Sequence, residues 1–232
     1  MTLAVRHLQP ELMDAPDVDA AAHRHALAGL ARINWVSLSS RILWPSIRGL
    51  ARQSPRPLRV LDLASGGGDV LCDIGRRATA SGLSVELFGL DRSPLAVETA
   101  DAIARRRGIR ASFTVGDVLD GDWPADVDVV MCSLFLHHLE TTDVIRLLQR
   151  MSNAATTLLA NDLIRSRLGY QLAWWGCRLL TRSPIVHFDG PRSVEGAFSR
   201  DEIRDLARRA GLDSIRLTRH WPERFLLRWD RS

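Results

Sequence analysis

The chain has 232 residues, of which 46% are apolar and 25% charged, with a formal net charge of +4. Those values suit one soluble globular domain, or one domain with additions, that has enough apolar residues for a sizeable core. Every basic residue is arginine, and the charges are interspersed with only short runs such as Arg105-Arg106-Arg107, so nucleic-acid binding finds little support.

Cys72, Cys132 and Cys177 stand far apart with no CxxC pair, which gives neither a zinc set nor a disulfide framework. No metal centre is expected. The first residues show no basic-then-apolar signal pattern, and no run is long and apolar enough to span a bilayer. A reducing, cytoplasmic setting is the expectation.

Residues 1 to 18 carry Pro10, Pro16 and scattered acids and read as a loose leader. Asp19 to Arg32 and Val36 to Arg52 have helical spacing of apolar residues, and Ser54-Pro55-Arg56-Pro57 then breaks the chain. Residues 1–57 are therefore expected to form an N-terminal helical cap, followed by one domain over 58–232.

From Leu58 the rhythm becomes strand, helix, strand. Strands are predicted at Leu58–Leu63, Val85–Leu90, Ala111–Val115, Val127–Cys132 and Thr156–Asn161. Between them come helices at about Asp69–Ser81, from Pro94 to near Arg107, and at about Thr142–Met151. Such alternation implies a doubly wound, mostly parallel sheet covered on both faces, with ligands gathered at the carboxyl ends of its strands. Leu163 to Arg182 reads as an apolar-sided helix, and Ser183 to Phe198 as a loop holding His187-Phe188-Asp189. Residues 163–198 are thus a lid inserted after the fifth strand. Ser199 opens a capped helix ending at Ala210-Gly211. Ile215–Thr218 and Phe225–Trp229 close the chain as a hairpin.

The stretch Asp62-Leu63-Ala64-Ser65-Gly66-Gly67-Gly68-Asp69 follows the first strand. Glycines there let a ligand lie against bare backbone, and the next helix start suits an anionic group. A dinucleotide fingerprint needs a third glycine where Leu71 stands, so that motif fails. Asp91, ending the second strand, suits the ribose hydroxyls of any adenosine and does not separate the candidates.

The four motifs taken together do separate them. Asp62-x-Ala64-x-Gly66-x-Gly68, Gly89-Leu90-Asp91, Gly116-Asp117-Val118, and Asp128-Val129-Val130 leading into Leu136-His137-His138-Leu139 occur in order. This set resembles the class I S-adenosylmethionine-dependent methyltransferases over about residues 58 to 162. One departure is Ala64, where the family has its first loop glycine. The resemblance implies a seven-stranded Rossmann-like fold and S-adenosylmethionine as cofactor. It also implies a cofactor-binding set of Asp62, Ala64, Ser65, Gly66, Gly68, Asp69, Asp91, Arg92, Asp117, Val118, Cys132 and Ser133. Within that set Asp62 would orient the methionine end, Asp91 hold the ribose, Asp117 meet the adenine amine and Val118 pack on the ring. The late part resembles small-molecule methyltransferases of bacterial secondary or quinone-like metabolism, and Arg182-Ser183-Pro184, Asp189-Gly190-Pro191 and Ser193-Val194 are similar to a subgroup often encoded beside polyketide synthases.

Methyl transfer needs alignment and exclusion of water, and a hydroxyl acceptor gains from a general base. His138 is the first candidate and His137 the second; the competing reading is one ring capping the next helix and the other packed. His187, with Asp189 as its orienter, is a third, against an ordinary surface loop. Asn34, Asp162, Tyr170 and Trp175 are candidates for the acceptor side, against turn, helix-cap and core roles. The expected activity is methylation, foremost O-methylation, of a small apolar or aromatic acceptor such as a polyketide- or quinone-like phenol. The alternatives are a non-catalytic S-adenosylmethionine-binding protein, or an RNA or protein methyltransferase. A peripheral membrane contact through residues 168–180 is left open, as is the oligomeric state.

Overall fold

The computed structural model describes residues 3–15 and 18–231. Two helices, α1 (Ala20–Val36) and α2 (Ser39–Gln53), precede the first strand, β1 (Leu58–Leu63). There follow α3 (Asp69–Ala80), β2 (Val85–Asp91), α4 (Pro94–Arg107), β3 (Ala111–Val115), β4 (Val129–Ser133), α5 (Thr141–Ala154) and β5 (Thr157–Leu163). The chain closes with α6 (Arg167–Leu180), α7 (Pro184–Gly196), α8 (Arg200–Arg209), β6 (Arg216–His220) and β7 (Arg224–Asp230).

The strands form one seven-stranded sheet in the order β3-β2-β1-β4-β5-β7-β6. The first five are parallel, and β7 runs antiparallel between β5 and β6. Alternation along each strand feeds two cores. Leu61, Leu63, Val130 and Leu158 face α5 and α8, while Val60, Val129, Met131 and Leu159 face α2, α3 and α4. Register aligns the strand ends: Asp62 lies opposite Gly89 and Met131, and Ser133 opposite Asn161. Order reverses at β1, so the crevice opens between the β1 and β4 carboxyl ends.

Two expectations are corrected. Residues 183–198 are not a loop. Ser183 caps α7, Pro184 takes its first position, and Pro191 is accommodated within it. Gly190 lets α7 press onto α6, because a Cβ there would collide with Cys177 Sγ. Packing therefore overrides the turn-like composition. The described part of the leader is not loose either. Arg6 donates to the Gly196 and Leu139 carbonyls at 2.6 Å each, and the Leu12 and Met13 N–H groups donate to Asp189 at 2.8 and 3.1 Å. Residues 3–15 are thus a strap across α7, while Pro16 lies outside the described residues.

Candidate active site

The turn from β1 to α3 forms the floor. Its backbone enters the left-handed region at Ala64 (φ 53°), Gly66 (φ 53°) and Gly68 (φ 71°). Glycine takes such angles freely, whereas Ala64 costs about 1 kcal/mol. Gly68 is needed for packing as well, since a Cβ would lie 2.8 Å from Ala100 and 2.9 Å from the Phe113 ring. The loop is tied to β2 through Asp91, whose two carboxylate oxygens accept from Gly66 N at 2.7 Å and Ser93 N at 2.9 Å.

Beside this loop, Asp62 Oδ1 and Ser65 Oγ are buried with no hydrogen-bond partner. Burial pushes the Asp62 carboxyl well up, with Asp69 and Asp91 adding repulsion. Burial also raises Asp69, whose Oδ2 accepts from Asn34 Nδ2 at 3.2 Å. An unpartnered Asp62 oxygen, the neighbouring Asp69 and a bare loop at one strand end offer acceptors to a cationic group. Farther along the rim, Asp117 accepts from the N–H groups of Leu119 (2.6 Å) and Asp120 (3.2 Å), and Val118 packs beside it. Ser133 Oγ accepts from Asn161 Nδ2 at 2.9 Å.

One cavity of about 860 Å³ joins these groups. Of the sequence-predicted cofactor residues, Asp62, Ala64, Ser65, Gly66, Asp69, Asp91, Arg92, Asp117, Val118 and Ser133 line it. Two do not. Gly68 sits behind the loop against α4, and Cys132 is buried in the core facing α5, where burial raises its thiol pKa.

At the other end, past β4, stand His137 and His138. His137 is buried; its Nδ1 lies 2.6 Å from Asp162 Oδ1 and its Nε2 3.9 Å from Glu11 Oε1. The His138 ring lies against it, centroids 4.3 Å apart, with Nδ1 3.8 Å from the same Glu11 oxygen. Ser193 Oγ donates to that oxygen at 2.6 Å. Burial works to raise the Asp162 carboxyl, but the His137 charge and hydrogen bonds outweigh it and hold it low. Ligand atoms of Glu11, His137 and His138 lie within 4.8 Å of one another, a spacing that would fit around one divalent ion.

The acceptor-side expectations divide. Asn34 lines the cavity, and Asp162 sits behind His137. His187 does not join the cavity: its Nε2 is bonded to the Thr181 carbonyl at 2.8 Å, and Asp189 serves the strap, so the base–orienter pair is corrected. Tyr170 and Trp175 are corrected too. They lie off the cavity on α6, Trp175 being 60% exposed with Leu168 and Leu179. The apolar wall comes instead from Leu27, Leu30 and Ile33 of α1, Leu172 and Gly176 of α6, and Val186 of α7.

Sequence reasoning missed Glu11, Ser37 and Arg224, all of which line the cavity. Glu11 stands in a stretch without periodicity and had no local signal. Arg224 had one, a charge set directly before the apolar run Phe225-Leu226-Leu227.

Residues 60–157 match the family described as "Methyltransferase domain". No curated protein sequence matches the chain. Among solved structures, the S-adenosylmethionine-dependent methyltransferase SibL superposes with a TM-score of 0.63 at 21% identity, over 95% of this chain and 60% of SibL. The plantazolicin methyltransferase BpumL, solved with SAH, gives 0.68 at 14% identity over 94% and 92%. Magnesium protoporphyrin IX methyltransferase from Synechocystis, solved with SAM, gives 0.56 at 14% identity over 95% and 88%. The chain spans 60% of SibL and 56% of a Nostoc punctiforme protein assigned as an O-methyltransferase. Residues 60–157 therefore match the methyltransferase-domain model, and the chain has the fold of these solved methyltransferases.

Proposed function

We propose that the protein transfers a methyl group from S-adenosylmethionine to a hydroxyl of a small acceptor with an apolar or aromatic body. One observation carries this reading. A single cavity runs from the glycine loop, past the buried acids, to the His137/His138/Glu11 cluster and an apolar helical wall.

The residues present fit the cofactor. Asp62 Oδ1 and Ser65 Oγ are buried without partners, and Gly66 leaves open space above the loop, with Leu27 the nearest atom to a Cβ at 4.0 Å. Asp62 and Asp69 would hold the methionyl ammonium, Asp91 the ribose hydroxyls, and Asp117 with Val118 the adenine. When bound, the cofactor supplies a methyl group already activated on a sulfonium. His138 then takes the proton of the acceptor hydroxyl, and Glu11 stabilises the resulting imidazolium. Asp162 fixes the His137 ring, which backs His138 face to face. The walls of α1, α6 and α7 exclude water and seat the apolar body.

The chain is incubated with methyl-labelled S-adenosylmethionine and candidate phenols, with calorimetry in parallel. Labelled product together with S-adenosylhomocysteine is expected. Binding without turnover on any acceptor selects the non-catalytic alternative. Salt-sensitive binding of RNA selects the nucleic-acid one.

A further inference from the structure

A buried cation on the cavity wall is left over by this scheme. Arg224 opens β7 opposite Leu163, at the carboxyl edge of β5, and is 2% exposed. Its Nη1 donates to Ser39 Oγ at 2.9 Å and its Nη2 to Ser37 Oγ at 2.6 Å. Its Nε is buried with no partner. Among the described residues no carboxylate is hydrogen-bonded to it. The guanidinium is lowered to about 10 by burial and still stays charged at neutral pH. Burying such a charge among hydroxyls is costly unless an anion completes the site.

We infer that Arg224 is the docking point for the α-carboxylate of the cofactor's amino-acid end. The inference rests on the S-adenosylmethionine reading above. Two features favour the cofactor over an acceptor anion. First, a side-chain hydrogen-bond relay runs from Arg224 to the start of α3 at the glycine loop. Ser39 Oγ donates to Asn34 Oδ1 at 3.2 Å, and Asn34 Nδ2 donates to Asp69 at 3.2 Å. Second, the acids and the cation of the cavity are not hydrogen-bonded to each other, and Asp162 and Asp69 act on Arg224 only through space. Asp62 and Asp69 face it as one pole and Arg224 as the other. That is the complement of an α-amino-acid zwitterion, with its ammonium on the acids and its carboxylate on the guanidinium. The serines are held for this by the α1–α2 junction, where Leu38 takes the left-handed region (φ 62°) between Ser37 and Ser39.

Calorimetry with two ligands tests the assignment. S-adenosylhomocysteine carries the amino-acid end, and 5′-methylthioadenosine lacks it. Wild type is expected to favour the first by about 30-fold or more. Arg224→Met should abolish most of that preference while leaving 5′-methylthioadenosine affinity unchanged, and Arg224→Lys should restore part of it. Unchanged S-adenosylhomocysteine affinity, or an equal loss for both ligands, overturns the assignment and leaves Arg224 as a brace between β7 and α1–α2. Should Arg224→Met fail to fold, wild type is compared on S-adenosylmethionine and decarboxylated S-adenosylmethionine, which differ only in the carboxylate. Equal affinity there overturns it as well. A wild type that binds none of these ligands fails the cofactor reading itself, which is a different result.

Discussion

Nδ1 of His137 lies 2.6 Å from Oδ1 of Asp162, and the His137 backbone N–H donates to the other oxygen of the same carboxylate at 3.2 Å. One buried acid thus holds both the ring and the backbone of a cavity-lining histidine. The pair joins the turn after β4 to the end of β5, two places 25 residues apart.

Asp162→Asn is expected to release the ring while keeping the side-chain volume. Turnover should fall about tenfold or more, with S-adenosylhomocysteine affinity close to wild type. Steady-state kinetics and calorimetry on the same preparation check this. A parallel loss of cofactor binding would make Asp162 a fold residue only.

His138→Gln should cost more, about 100-fold or more in turnover, if this ring takes the acceptor proton. Cofactor affinity should not move. A wild-type rate removes the catalytic role and shifts attention to His137.

Chelation separates proton transfer from metal assistance at Glu11, His137 and His138. On the acid–base reading, dialysis against a chelator leaves turnover unchanged. Loss of turnover with recovery on adding one divalent ion would reassign these three side chains as ligands.

Burial gives Asp62 a stability penalty when it is ionised. Its folded pKa is raised well above 3.8, so the folded state holds its proton more tightly than the unfolded chain. Between those two values its contribution to stability falls as pH rises. Asp62→Asn should therefore stabilise the ligand-free protein at neutral pH by about 1 kcal/mol or more, roughly 2–4 °C in Tm. It should also flatten the decline with pH and weaken S-adenosylhomocysteine binding. Melting curves from pH 4 to 8 measure it, and a lower Tm for the variant at pH 7 would contradict it.

Gly190→Ala tests the contact between α6 and α7. The added methyl collides with Cys177 Sγ, and overpacking of this kind costs about 1–3 kcal/mol. Gly176→Ala is the control, because nothing lies within 4 Å of a Cβ there. Thermal melting of the two variants should differ clearly; equal Tm values would mean that the helices separate without cost.

The sequence by itself determined the order of strands and helices from Leu58 onward, the glycine loop, and the acids at the strand ends. Those features are local. A parallel strand buried on both faces is a short apolar run, a left-handed turn asks for glycine, and an acid just past a strand end lies at the crevice wherever the sheet closes. Only the tertiary structure decided that 184–196 is a helix and that residues 3–15 strap it down. It alone brought Glu11 to the histidines and Arg224 to the serines of the α1–α2 junction. The strap, Glu11 and Arg224 depend on contacts more than a hundred residues apart in the chain and the helix on packing against α6, and no local periodicity records which distant surface a segment will meet. Turn-like residues such as Gly190 and Pro191 even point the wrong way, because close packing against Cys177 uses the same small side chain that a turn would.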